Sequence, residues 1–361
     1  MTAGKWQDPN MFKNLIKYNK TDRSWHLPAM AGICIGIPLL LGVLTDDMEG
    51  GRIGSIGALV FLYLQSNQLT NRMIILMVSG FGFILSFAVG ILFSFNTWLS
   101  PLILALYTFG VHYSLNSLKL SKPPGNFFFI MVISIAITMK HPAAESIHYI
   151  GSFTLGVLIA VSIGFLYSII VLRKTNQPEV MVLKKSPYIS VTESIIFSVM
   201  MGLSLLVAVL SGLENPYWIP ISCLAVMQGA STKHIWTRAI QRVLGTLIGL
   251  GLTWVILLKD LSIAEICISI ILLQIIIEFF IVRNYAIAVI FISTLTIFLA
   301  EPNIKLVGNP SQLISARFFD ILIGSAIGAV GGWILYHEHV RFYTRMQLRK
   351  TKVIMKKYKK L

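Results

Sequence analysis

Long apolar runs broken by short polar turns recur from residue 27 to residue 336. A helix needs about 20 mostly apolar residues to cross the roughly 30 Å hydrocarbon core of a bilayer. The runs at 27–44, 53–65, 73–95, 97–115, 126–140, 147–172, 193–213, 216–229, 238–258, 261–281, 284–300 and 312–336 are therefore expected to be spanning helices. Some of the polar breaks are very short, so neighbouring helices should form antiparallel hairpins. The expected fold class is all-α: a polytopic membrane protein with about twelve transmembrane helices.

Composition agrees. Of 361 residues, 55% are hydrophobic and 12% charged, against about 25% charged in ordinary soluble domains. So few charges cannot cover a water-facing surface of this size. The formal net charge is +15, but the positive residues gather at the ends and in alternate loops. That is the distribution of cytoplasmic loops, and it removes nucleic acid from the expected partners. Cys34, Cys223 and Cys267 all fall in apolar runs without CxxC spacing. They read as small buried hydrophobes. The first 25 residues lack an apolar core, so no cleavable signal peptide is expected.

Lysine and arginine set the orientation. Lys5, Lys13, Lys17, Lys20, Arg23, Arg72, Lys119, Lys122, Arg173, Lys174, Lys184, Lys185, Lys233, Arg238, Arg242, Arg283 and the basic C-terminal tail fall on one side of this map. Arg52, Lys140, Lys259 and Lys305 fall on the other, among the acidic residues Asp46, Asp47, Glu49, Glu145, Glu214, Asp260 and Glu301. Both termini are thus expected in the cytoplasm, in a multi-pass protein of the cell (plasma or inner) membrane.

The chain also repeats itself. Gly36 aligns with Gly202 and Phe153 with Phe319 at one offset (202 − 36 = 319 − 153 = 166), and GIPLLLGVL matches GLSLLVAVL. The second span of each half ends at a glutamine, Gln65 or Gln228. Two six-span repeats share one orientation and are related by an axis along the membrane normal. The division is 1–172 for the first repeat, 173–192 for a cytoplasmic linker, 193–336 for the second repeat and 337–361 for a tail. In the tail, Arg341, Arg345 and Arg349 fall on one helical stripe. A basic amphipathic helix on anionic lipids is expected there, and a regulatory binding role is the other reading.

Candidate chemistry lies mostly in the second repeat. There is no GxxxxGK[ST] phosphate loop, no metal-ligand spacing among the seven histidines and no nucleophile–base set; neither cofactor nor catalysis is expected. Arg238 and Arg242 lie four residues apart on the ninth span. They read either as an anion site at the cytoplasmic mouth, with Lys233 and His234 just outside it, or as a positive-inside anchor that snorkels to headgroups. On the twelfth span Arg317 and Asp320 share a face with Gly324, Gly328 and Gly331. They read as a structural ion pair beneath a small-residue contact, or as a gate or proton-sensing carboxylate. The second and eighth spans are short, with Gly54 and Gly57 expected to interrupt the one and Pro220 to break the other. Such segments point to a transporter's central site. Tyr217 and Trp218 suit a path or an interfacial belt. Glu278 has Arg283 as its nearest sequence partner, five residues away.

The segment NPYWIPISCLAVMQGASTKHIWTRAIQRVLGTLIGLGL, 215–252, resembles the signature region of the fusaric acid resistance protein-like family, with a PYW opening, an apolar helix, a polar turn and an R-x-x-x-R-x-x-G-T helix. ARFFDILIGSAIGAVGG, 316–332, resembles its closing helix. The first repeat retains Arg72 but neither PYW nor a second arginine. That family includes aromatic carboxylic acid exporters and is distantly similar to plant aluminium-activated malate channels. The resemblance implies movement of organic anions out of the cytoplasm and a dimer-like pair of six-span units, here fused; room for an oligomer remains. Many members carry a large cytoplasmic domain, which this sequence does not show.

The expectation is a transporter, most simply an exporter, or a channel for small organic anions, aromatic ones among them. The alternative is a non-transporting membrane scaffold or envelope-assembly factor. The expected substrate-binding set is Lys233, Arg238, Arg242, Arg317, Asp320 and Gln228. The charge asymmetry predicts that single cysteines at positions 5, 180 and 355 react with an impermeant thiol reagent only from the cytoplasmic side, and cysteines at 47, 214 and 305 only from outside. Termini on opposite sides would overturn the map.

Overall fold

A computed structural model describes residues 18–21, 23–66, 68–117, 123–172, 187–213, 215–259, 261–300, 310–337 and 346. Expectations about residues 1–17, the linker stretch 173–186, the tail residues 338–345 and 347–361, and Lys119, Lys122, Glu214, Asp260, Glu301 and Lys305 lie outside the described residues.

Regular structure among the described residues is helical, with no strand. The helices are α1 (His26–Leu44), α2 (Met48–Ala58), α3 (Leu69–Phe93), α4 (Ser100–Ser117), α5 (Phe127–Ala136), α6 (Ser146–Leu172), α7 (Pro187–Leu210), α8 (Trp218–Met227), α9 (Thr232–Leu257), α10 (Ile263–Phe280), α11 (Tyr285–Ala300) and α12 (Pro310–Tyr336). A 3-10 turn, Leu59–Tyr63, continues α2. Among the described residues, seven helices are long and apolar enough to cross a membrane, and α5, α8 and most of α11 are shorter apolar helices. In hydrocarbon each backbone N–H and C=O needs an internal partner, which a helix supplies along its own length.

Several starts differ from the sequence expectation because a cap lies further out. Asp47 accepts a hydrogen bond from the Gly50 N–H at 2.9 Å, so α2 begins at Met48 instead of 53. Ser231 caps the His234 N–H, which brings Lys233 into the first turn of α9. Ser262 and Glu265 form a reciprocal capping box on α10. Proline suits a first helical position, and α7 starts at Pro187, inside the expected linker.

Two expected breaks are not breaks. α2 runs through Gly54 and Gly57 without interruption. Pro220 sits in the first turn of α8, where an N–H has no intrahelical partner to lose. The glycines serve helix crossings instead. A Cβ added to Gly54 would lie 3.1 Å from the Ser152 carbonyl oxygen of α6. One added to Gly328 of α12 would lie 2.6 Å from the Cys223 carbonyl oxygen of α8. Small residues let helix backbones touch where lipid supplies no hydrophobic drive between them.

Contacts recur at the 166-residue offset. α2 packs on α6 as α8 packs on α12; α3 packs on α5 and α6 as α9 packs on α11 and α12. The fourth helix of each half crosses over: α4 packs on α7, and α10 packs on α1. The core follows the crossing. One apolar cluster joins α1, α2, α3 and α6 to Cys267, Ile270, Leu273 and Ile277 of α10. Another joins Leu104 of α4 and Ile130 and Ile133 of α5 to α7, α8 and α12. The outward faces are also apolar: Ile74, Met77, Phe81 and Leu85 on α3, and Leu244, Leu247, Ile248 and Val255 on α9, are exposed. A water-soluble surface rarely carries such stripes; here they face lipid.

The glycine geometry gives a paired prediction. Gly328→Leu should cost about 1–3 kcal/mol through overpacking, read as a lower unfolding midpoint in detergent. Gly110 and Gly151 have nothing within 4 Å of an added Cβ. Alanine there should be neutral or should raise the midpoint, because alanine favours the helix. Equal effects at the two kinds of position would show that the α8–α12 crossing is not close.

Candidate functional site

α8 has all ten of its residues buried. At 1.5 Å per residue it is about 15 Å long, half of a hydrocarbon core. α5 is as short and packs against it. Carbonyls at the ends of such helices must find protein partners, and the partners converge on the turn 123–126 before α5. Tyr63 donates from its hydroxyl to the Gly125 carbonyl at 2.6 Å. The Gln65 amide donates to the Pro123 carbonyl at 2.6 Å. The Gln228 amide donates to Asn126 Oδ1 at 2.7 Å. The two glutamines at the ends of the second spans thus hold one turn from both halves of the chain.

The arginines at matching positions both reach backbone carbonyls that follow the second helix of their half. Arg72 donates through Nε to the Ser66 carbonyl at 2.6 Å. Arg238, 166 residues later, has Nη1 at 3.5 Å from the Gln228 carbonyl, and its guanidinium lies 4.3 Å from the Tyr285 ring centroid. Cations are favourable at helix C-termini. The guanidinium thus lies against backbone and an aromatic face. Lys233 is exposed in the first turn of α9, with Arg238 half-buried between it and the interior.

Arg242 differs. It is 4% exposed, too enclosed to reach headgroups, and has no hydrogen-bond or ion-pair partner among the described residues; Nε is fully buried. The face it shares with Gly245, Thr246, Gly249 and Thr253 turns inward. Further along, Thr253 donates to Thr294 at 3.1 Å and Ser293 to Thr246 at 3.3 Å, which ties α9 to α11.

Arg317 and Asp320 are each 3% exposed, on the stripe of α12 that meets α8. The Arg317 guanidinium lies 3.5 Å from the Trp218 ring centroid. Among the described residues Asp320 Oδ1 accepts no hydrogen bond, and Trp218 Nε1, Ser222 Oγ and Ser325 Oγ are likewise buried without hydrogen-bond partners. Register places Arg242 near this column. α9 and α12 are joined where Tyr336 donates to the Gly229 carbonyl and a Cβ on Gly332 would strike Ile235. Seven residues inward from that contact are Arg242 on α9 and Ser325 on α12, each about 10 Å deeper. Tyr217 and Trp218 are buried against Met131 and Ile135 of α5, so they are not an interfacial belt.

A separate cleft of about 190 Å³ opens at the inner ends of α4, α5, α7 and α12, lined by His112, Asn116, Asn126, Glu193, Gln228 and Tyr336 among others. Of the expected site residues only Gln228 lines it. His112 Nδ1 lies 2.8 Å from Ser194 Oγ and 3.0 Å from Asn116 Nδ2. The counterpart of His112 at the repeat offset is Glu278 (112 + 166 = 278), and there the equivalent junction is closed. Glu278 Oε2 accepts from Arg23 at 2.6 Å, and its backbone carbonyl accepts from the same guanidinium at 3.1 Å. Arg283, the sequence candidate, lies over the Phe279 ring. Arg23 precedes α1, and only the α1–α10 packing brings it to Glu278; no local sequence signal marks the pair.

These features define a polytopic helical membrane protein with a buried cationic column in its second half. Residues 203–331, which hold α8 to α11 and most of α12, match the model of the fusaric acid resistance protein-like family. The resemblance read from 215–252 and 316–332 therefore stands. A stretch of 134 residues, 37% of this chain, is 38% identical to the uncharacterized membrane protein YvaC of Bacillus subtilis (strain 168). It covers 21% of that relative, so the chain spans about a fifth of the curated relative it matches. No solved structure matches.

The Arg23–Glu278 pair supplies a prediction about stability. The Glu278 side chain is 6% exposed and that of Arg23 22%. Removing one partner of a buried pair costs about 3–5 kcal/mol, less here because Arg23 is partly solvated. Arg23→Met should lower the unfolding midpoint clearly, and Arg23→Met with Glu278→Leu should recover much of the loss. Additive losses would mean that the two side chains do not act as a pair.

Proposed function

We propose that this chain is a transporter for small organic anions, most simply an exporter. It would cross the membrane twelve times, as two fused six-helix units with both termini in the cytoplasm. The observation that carries the reading is Arg242, a guanidinium 4% exposed with no partner among the described residues. A fixed charge in a membrane interior is costly and marks a substrate path or a partner. The buried residues described above include two guanidiniums, Arg242 and Arg317, and one carboxyl group, Asp320. A substrate carboxylate would offset positive charge fixed there. Guanidinium suits the task because it stays charged and offers two parallel donors to a carboxylate.

Support for the class of cargo comes from the family match over residues 203–331, since that family is named for resistance to an organic acid. The recurrence of helix contacts at the 166-residue offset supports the two-unit arrangement. Arg238 takes a holding role in this reading, capping the end of α8, and Lys233 an attracting role at the mouth.

Efflux of a radiolabelled aromatic carboxylate such as benzoate from proteoliposomes tests it. Arg242→Gln should lower flux about tenfold or more, the worth of a charged hydrogen bond, with the unfolding midpoint held. Arg242→Lys, which keeps the charge and loses the fork, should fall between Gln and wild type. Wild-type flux in both variants would assign Arg242 to anchoring, and no carboxylate flux in the wild-type protein would favour the scaffold.

A further inference from the structure

Trp218 Nε1, Ser222 Oγ and Asp320 Oδ1 are each buried without a hydrogen-bond partner. They lie on the contact between α8 and α12, where a Cβ on Gly324 would stand 2.7 Å from the Ser222 Cβ. A buried polar atom left unsatisfied is costly, and three on one contact leave hydrogen-bonding demand that a second arrangement of these side chains would meet. Asp320 is the group whose demands change most between them. As a carboxylate in a dry interior it needs a cation or several donors; as a neutral carboxyl it needs far less. Arg317, three residues back on the same helix, is within side-chain reach of Asp320. In this structure its guanidinium lies over the Trp218 ring at 3.5 Å.

We propose that Asp320 is an intramembrane proton-binding site and that its proton sets the position of Arg317. With the carboxyl protonated, Arg317 rests on Trp218, the arrangement observed. When the proton leaves to water, the carboxylate draws the guanidinium off the ring and pairs with it. No covalent bond to any substrate forms; a proton passes between the carboxyl and an aqueous phase, and one ion pair is made or broken. Deepening the transport reading on which this part rests, the switch makes anion binding depend on the proton: a substrate carboxylate is held by Arg317 only while Asp320 is neutral, and loss of the proton releases it.

Among the described residues, few charged groups lie on the elements packed against this position. α8 presents Trp218, Ser222 and Cys223, and α7 meets α12 through Met200 at Gly331. α9 carries Arg242, level by register with Ser325, five residues along α12 from Asp320. The charged residue of α7 is Glu193, far along the helix from Asp320.

The switch has a readout that does not need transport. The Trp218 contribution to fluorescence, taken as wild type minus Trp218→Phe in lipid nanodiscs, should change with pH as the guanidinium leaves the ring. Asp320→Asn should fix it at the wild-type low-pH value, and Asp320→Glu should restore a titration. A Trp218 contribution flat with pH in wild type, or still titrating in Asp320→Asn, would overturn the proposal. In proteoliposomes, Asp320→Asn should abolish stimulation of benzoate efflux by a pH gradient while benzoate–benzoate exchange persists. Full stimulation in Asp320→Asn would overturn the coupling role. Loss of all wild-type flux alongside a titrating Trp218 signal would reject the transport reading and leave the proton switch standing.

Discussion

A helix that stops short leaves end carbonyls that its own N–H groups cannot satisfy. Arg238 approaches the Gln228 carbonyl at the end of α8, Arg72 takes up the Ser66 carbonyl after the 3-10 turn Leu59–Tyr63, and Tyr63, Gln65 and Gln228 tie the same region to the turn 123–126. Much of the middle of the protein follows from this. The short helices are fixed at one end by polar bonds, so their other faces pack without drifting. α8 is then held with Trp218 and Ser222 toward α12, and α5 with Met131 and Ile135 toward Trp218. A polar column deep in an apolar protein persists only if the helices bearing it are located by something stronger than apolar contact.

Close backbone crossings supply the second constraint. Gly54 against Ser152 and Gly328 against Cys223 bring helix axes together in both halves. They leave no room for a side chain, so each crossing has a single register. That register sets Arg317 over Trp218 rather than a turn away. Polar side chains within the helices satisfy themselves locally: Ser55 bonds the Gly51 and Ile35 carbonyls, and Ser134 the Ile130 carbonyl. Trp218 Nε1, Ser222 Oγ and Asp320 Oδ1 on the α8–α12 contact lack such partners among the described residues, as do Thr108 Oγ1 and Tyr285 Oη elsewhere.

The two halves have diverged where charge is concerned. Leu76, fully buried, occupies the position in α3 that Arg242 holds in α9 (76 + 166 = 242). His112 lines an open cleft, whereas its counterpart Glu278 is closed by Arg23. Under the proposed duplication, one half keeps the cationic column and the other keeps the packing. A fused pair is free to do this because a substitution in one copy is not imposed on the other, as it is in a symmetric dimer.

By itself the sequence determined that the chain is a helical membrane protein, and it suggested the repeat. Apolar runs, sparse charge and the 166-residue offset are local or compositional signals, and lipid leaves the backbone little besides helix. It also marked Arg242, Arg317 and Asp320, because an ionisable residue in an apolar run is visible without coordinates. Only the tertiary structure decided which charges meet. Arg23 reaches Glu278 across 255 residues because α10 packs on α1. Arg238 became a cap because α8 ends beside it, and Gly54 and Gly57 became contact points because α6 crosses them. Helical spacing ranks partners along one helix; side chains of this length are claimed by whatever the packing brings nearest, and in a bundle that is usually another helix.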